Sequence, residues 1–94
     1  MIEEERVEKA VWFLAGSSKD YGAARGHQAY CDANLRRVKA LQMLENGNGG
    51  VADREARAYA SLEYKAAMEE LENAVARVET LRAQREGAVM LIET

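Results

Sequence analysis

Apolar residues recur along this chain at steps of three and four, the spacing that lines one face of an α-helix. In the first segment Val7, Ala10, Val11 and Leu14 form such a stripe, and Trp12 and Phe13 widen it. The pattern predicts a short amphipathic helix over residues 2–15. Glu3, Glu4 and Glu5 stand in its first turn, where the helix dipole favours negative charge. Gly16 reads as its stop, because glycine takes the left-handed conformation beyond a helix end without strain.

A second helix is expected over 18–45. Ser17-Ser18-Lys19-Asp20 reads as a capping box, with Ser17 as N-cap and Asp20 three residues on. Tyr21, Ala24, Cys31, Leu35, Val38 and Leu41 then share one face. Gly22 and Gly26 each weaken the opening turns by about 1 kcal/mol relative to alanine. Close approach by the first helix would give them a use. Asn46-Gly47-Asn48-Gly49-Gly50 predicts a loop over 46–51, since glycine and asparagine supply the backbone angles of a reversal.

The third helix is expected over 52–93. Its stripe reads Ala60, Tyr64, Ala67/Met68, Leu71, Ala74/Val75, Val78, Leu81, Ala88/Val89 and Ile92, close to the seam of a coiled coil. Its last turns, Ala88 to Ile92, are apolar all round, unlike a surface helix. The short loop makes the second and third helices antiparallel neighbours. The third is the longer, so the first helix is expected to fold back over its unpartnered end. The fold class is all-α: one domain over 1–94, a long, coiled-coil-like antiparallel helical hairpin with a short N-terminal helix packed on it. No alternating run of β-branched residues predicts a strand.

Composition explains why such a fold must be thin. The chain has 94 residues and 48% hydrophobic types, but seventeen of its residues are alanine. Small side chains on the seams let two long helices approach closely, whereas they cannot fill a thick core. Proline is absent, and Cys31 is the single cysteine. A lone cysteine fits a reducing compartment. The longest apolar run, Ala10 to Ala15, is far below the roughly 20 residues that span a bilayer. The acidic opening segment has no signal-peptide-like stretch. These features favour the cytoplasm, with no membrane association. The net charge is -3, and only the middle of the chain is positive, chiefly through Arg36, Arg37 and Lys39.

The chain offers little material for catalysis. His27 is the single histidine, and Cys31 shares its helical face four residues on. An i,i+4 pair on one helix supplies no oxyanion hole and no cleft, so Cys31 reads as a small buried hydrophobe and His27 as a boundary residue. Glu63, Glu69, Glu70 and Glu72 flank the apolar stripe and read as a solvated face, not as an inward-facing carboxylate metal site. Gly47, Gly49 and Gly50 lack the Lys-Ser/Thr that would follow in a phosphate-binding loop. No enzyme, metal or cofactor is expected.

Two surfaces read as binding features instead. Arg36, Arg37 and Lys39 on the second helix and Arg54 and Arg57 at the start of the third should meet across the hairpin. Such a basic patch could contact phosphates, although Glu45, Asp53 and Glu55 interrupt it. Trp12, Phe13, Tyr59, Met90 and Leu91 supply aromatic and apolar anchors, the residue types that dominate interface energies.

The segments Lys9-Ala10-x-x-Phe13-Leu14-Ala15, Arg37-Val38-Lys39-Ala40-Leu41, Arg54-Glu55-Ala56-Arg57-Ala58 and Leu81-Arg82-Ala83-Gln84-Arg85-Glu86 resemble those of small helical proteins of tailed bacteriophages and prophages. That resemblance implies a role in phage recombination or replication, or in countering host defence, inside a bacterial cell. It carries over no catalytic residue. The expected function is non-catalytic binding to a host or phage nucleoprotein complex, with inhibition of CRISPR–Cas (an anti-CRISPR) as one concrete form. Two alternatives stand beside it: a nucleic-acid-binding accessory of phage recombination or replication, and a homo-oligomeric structural coiled coil, a homodimer in its simplest form.

Overall fold

The computed structural model of the chain describes residues 2–45 and 47–93, with Ile2 described by its backbone alone; Met1, the expected loop residue Asn46, and Thr94 lie outside the described residues. Three helices follow one another: α1 (Ile2–Glu45), α2 (Val51–Tyr59) and α3 (Leu62–Glu93). There is no strand among the described residues. The all-α hairpin expected from the spacing is present. α1 runs antiparallel to α2 and α3, as Lys39 paired with Glu55 near the loop and Ser17 bonded to Arg85 far from it demonstrate. The molecule is a rod with extents of 70 × 17 × 17 Å.

The short N-terminal helix does not exist as a separate element. The expected helices over 2–15 and 18–45 are one continuous helix through Gly16, Ser17 and Ser18. The reason lies in the seam. Among the buried and half-buried positions of α1, Val7, Ala10, Leu14, Ser17, Tyr21, Ala24, Gln28, Cys31, Leu35, Val38 and Gln42 alternate steps of three and four, with Asn34, Lys39 and Met43 half-buried beside them towards the loop. A seven-residue repeat held over this length is a coiled-coil seam, and breaking the helix at Gly16 would throw its two halves out of register against α3. A cap is worth only about 1 kcal/mol, so continuous packing decides. The serines adapt locally: Ser18 Oγ donates to the carbonyl of Leu14 at 2.7 Å, a bond that lets serine sit inside a helix, and Ser17 is buried in the seam.

Because α1 is long, α3 has no unpartnered end for another helix to cover. Gly22 and Gly26 are likewise not contact points within the chain. A Cβ on either would meet nothing within 4 Å, so their expected use in packing on a first helix is withdrawn. Gly26→Ala should therefore stabilise α1 by about 1 kcal/mol, raising the melting temperature by roughly 4–8 °C. A lowered value in thermal circular dichroism would show that the site is occupied.

The seam of α3 is Tyr64, Ala67, Leu71, Ala74, Val78, Leu81, Arg85 and Ala88, again steps of three and four. Small residues recur in seven-residue register, all buried: Ala10, Ser17, Ala24 and Cys31 on α1, and Ala67, Ala74 and Ala88 on α3, where Leu81 takes the intervening place. These rows hold the core, in which Val78 and Cys31 are each only 1% exposed. The expected single helix over 52–93 is instead divided at Ala60–Ser61. Ser61 Oγ donates to the Ala58 carbonyl at 2.7 Å and accepts from the Tyr64 N–H at 3.1 Å, so Ser61 caps the start of α3. The offset lets α2 bury Ala58 completely, at a position outside the seven-residue phase of α3.

The loop is close to the one expected, except that Val51 belongs to α2. Gly49 has φ +92°, a conformation that favours glycine. Arg57 ties the loop down through bonds from its guanidinium to the carbonyls of Asn48 and Asp53.

Candidate protein-binding surface

The antiparallel arrangement places the start of α1 beside the end of α3, at what is here termed the open end of the rod. The larger apolar residues of the chain collect there. Trp12 is 72% exposed and Met90 66%, and Val11, Phe13, Val89, Leu91 and Ile92 are also exposed. The two apolar ends thus meet without covering each other. Trp12 stands on the outer side of α1 above Glu5, Glu8 and Lys9. Phe13 and Leu91 face one another across a groove of about 600 Å³ floored by Ala10 and Ala88 and edged by Arg6, Lys9 and Gln84. The expected anchors Phe13 and Leu91 therefore share a groove, whereas Trp12 and Met90 lie at the same end of the rod in separate ones.

Tyr59 does not belong with them. It lies at the loop end, where its hydroxyl donates to Glu55 at 3.2 Å and its ring meets Tyr64 edge-on at 5.1 Å. Lys39 Nζ sits 4.6 Å from the centre of the Tyr59 ring and donates to Glu55 at 2.8 Å. That contact holds the Lys39 ammonium well above its usual range, and the same hydrogen bond lowers the Glu55 carboxyl. The loop end also exposes Leu44, Val51 and Leu62, on three different elements.

The five basic residues lie towards this loop end, and four of them are engaged within the chain. Arg36 pairs with Asp32 at 2.8 Å, Arg37 donates to Asn34 at 3.3 Å, Lys39 is held by Glu55, and Arg57 is bonded to the carbonyls of Asn48 in the loop and Asp53 in α2. Arg54 is half-buried, and its Nε has no hydrogen-bond partner. A phosphate-binding surface needs cations presented outward, and Glu55, Asp32 and Asp53 lie among these.

An inter-helix cluster escaped the reading of the sequence. Arg85 occupies a seam position and donates from Nη1 to Ser17 Oγ at 2.7 Å and to the Leu14 carbonyl at 3.0 Å. Its guanidinium carbon lies 5.3 Å from the centre of the Tyr21 ring, and the Tyr21 hydroxyl accepts from Arg82 Nε at 3.3 Å. The signal was present as two gaps in the apolar stripes, one between Leu14 and Tyr21 and one between Leu81 and Ala88. Ser17 fills the first and Arg85 the second, and the two gaps face each other.

Cys31 is buried, with Sγ 3.5 Å from His27 Nε2, and His27 stacks on Tyr30 with ring centres 6.5 Å apart. Among the described residues no group of three or more His, Cys, Asp or Glu is placed to hold a metal ion, and no helix is long and apolar enough to cross a membrane. No known family model, curated protein or solved structure matches the chain.

Proposed function

We propose that this protein is a non-catalytic binding protein that docks on another protein through its open end. The observation that carries the reading is the collection of exposed Trp12, Phe13, Met90 and Leu91 at one end of the rod, with Phe13 and Leu91 on the two sides of one groove. A tryptophan this exposed is an expensive residue to leave in water and a frequent anchor in interfaces. Nearby Arg6, Lys9 and Glu5 supply the polar rim that interfaces place around such anchors. The resemblance to phage proteins supplies the class of partner, a nucleoprotein machine of the bacterial host, with a CRISPR–Cas effector as the concrete case. The engagement of Arg36, Lys39 and Arg57 within the chain supports a protein surface over a nucleic-acid surface as the point of contact.

The test is expression of the protein in bacteria that carry an active CRISPR–Cas system, scored by survival of a targeted plasmid. Protection is expected. Trp12→Ala should weaken binding to the purified effector about tenfold, a change of about 1.4 kcal/mol, with helicity unchanged. Equal affinity of Trp12→Ala and the parent protein would remove the open end as the docking surface.

A further inference from the structure

The formal charge of the chain is -3, and it resides at the open end. Residues 3–15 and 88–93 carry five carboxylates, Glu3, Glu4, Glu5, Glu8 and Glu93, against the two cations Arg6 and Lys9. The rest of the chain, 16–87, carries eleven acidic and eleven basic side chains. The shaft and the loop end are therefore neutral as a whole. The end that exposes Trp12, Met90 and Leu91 is anionic.

Helix dipoles account for only part of this pattern. Glu3, Glu4 and Glu5 stand in the first turn of α1, where a carboxylate is stabilised. Glu8 lies beyond that turn, and the effect fades within it. Glu93 closes α3, whose last turn has no cation. It sits where the carbonyls of a helix end disfavour negative charge. Glu8 and Glu93 thus carry charge that the helices themselves do not call for.

Trp12 gives this charge a point of contact. Its ring borders a hollow of about 260 Å³ whose other walls are Glu5, Glu8 and Lys9. Glu5, Glu8 and Trp12 follow one another at steps of three and four, which places them on one face of α1. An aromatic ring face attracts a cation, and arginine supplies it most often. Carboxylates beside the ring add charge-assisted hydrogen bonds to the guanidinium. Lys9 balances one of the two carboxylates and leaves the second for an incoming cation. Arg6 edges the Phe13–Leu91 groove and not this hollow.

Building on docking through the open end, we propose that the matching face of the partner protein is basic, with an arginine seated over Trp12 between Glu5 and Glu8. The same carboxylates repel a phosphate-rich surface, whether nucleic acid or anionic membrane. The exposed apolar side chains hold the complex once the surfaces touch, whereas the charge steers approach and selects the partner.

Trp12 is the single tryptophan of the chain, so its fluorescence reports contact directly. The probes are two synthetic helical peptides of equal length, one of arginine, leucine and alanine, the other with every arginine replaced by glutamate. The arginine peptide should shift the Trp12 emission and bind at least about tenfold more tightly than the glutamate peptide. Its affinity should fall between about 0.01 M and about 1 M salt, over which the screening length shrinks from about 30 Å to about 3 Å. Glu5→Gln, Glu8→Gln and Glu93→Gln combined should weaken its binding about tenfold with helicity retained. Glu63→Gln, Glu69→Gln and Glu72→Gln combined make the same change in net charge away from the open end, and should weaken it less than about twofold. Equal binding of the two peptides, affinity independent of salt, or equal losses in the two triple variants would each overturn the proposal. Plasmid protection retained by Glu5→Lys combined with Glu8→Lys would also overturn it, while leaving open-end docking in place. The expected peptide binding without any plasmid protection would sustain the basic face and remove the CRISPR–Cas effector as the partner.

Discussion

Ala24→Leu is expected to lower the melting temperature by more than about 10 °C, from a loss of about 3 kcal/mol. Ala24 is buried in the middle of the small-residue row of α1. In an ordinary two-stranded coil a leucine at such a position would add buried apolar area and stabilise the pair. Here Ser17 and Cys31 lie one repeat to either side, and Val78, only 1% exposed, stands at about the level of Ala24 on the facing helix. A small residue packed against a fully buried valine leaves no volume for three added carbons. The added side chain must push α1 away from α3 and strip contacts from its neighbours. Ala23→Leu is the control. Ala23 is exposed on the outer side, and its change should stay within about 0.5 kcal/mol. A raised melting temperature for Ala24→Leu would show that the helices have room between them and that the alanine rows do not set their separation.

Arg85→Ala should cost about 3 kcal/mol, again roughly 10 °C or more in thermal unfolding. Two losses combine. The guanidinium bonds to Ser17 Oγ and the Leu14 carbonyl disappear, and hydrogen bonds made by a charged donor are worth about 1.5–3 kcal/mol each way of counting. The buried Ser17 hydroxyl then has no cation to meet it, and the guanidinium of Arg85 no longer lies over the Tyr21 ring. Arg85→Ala combined with Ser17→Ala separates these terms. The double variant should recover part of the loss, because replacing both partners removes the unsatisfied hydroxyl. Additive losses would mean that the two residues act independently.

Most of the architecture was readable from spacing. The stripe from Tyr64 to Val89 marked the inner face of α3, and the Gly-Asn run marked the reversal and hence the antiparallel pairing. The buried character of Cys31 was also apparent from its place on the stripe. Two misjudgements share one cause. Gly16 with Ser17 and Ser18 looked like a stop and a new start, while Ser61 went unread as a cap. Local capping signals carry only about 1 kcal/mol, so the same kind of residue can end a helix or be absorbed within one. At Ser17 the seam continues in phase from Leu14 to Tyr21, and Arg85 meets the hydroxyl. At Ser61 the phase changes, so the cap is used.

The candidate binding residues divided in the same way. Their chemical types were evident: exposed-type anchors such as Trp12 and Met90, and cations such as Arg36 and Arg57. Their grouping was not, because it depends on which ends meet. A continuous α1 carries Trp12 and Phe13 to the end of α3, and leaves Tyr59 at the other end of the 70 Å rod. The cations near the loop face carboxylates and carbonyls that lie as far as sixteen residues away in the chain, as Lys39 and Glu55 do.

The repeat of apolar and small residues already contained the helical class, the antiparallel hairpin and its thinness, because a periodicity near 3.5 admits one kind of element and alanine admits one kind of packing. The continuity of α1, the Arg85–Ser17 contact across the seam and the assembly of the open end came from packing two helices along their whole length. Each depends on register between distant segments, and register is set by the sum of many contacts, none of which any local stretch contains.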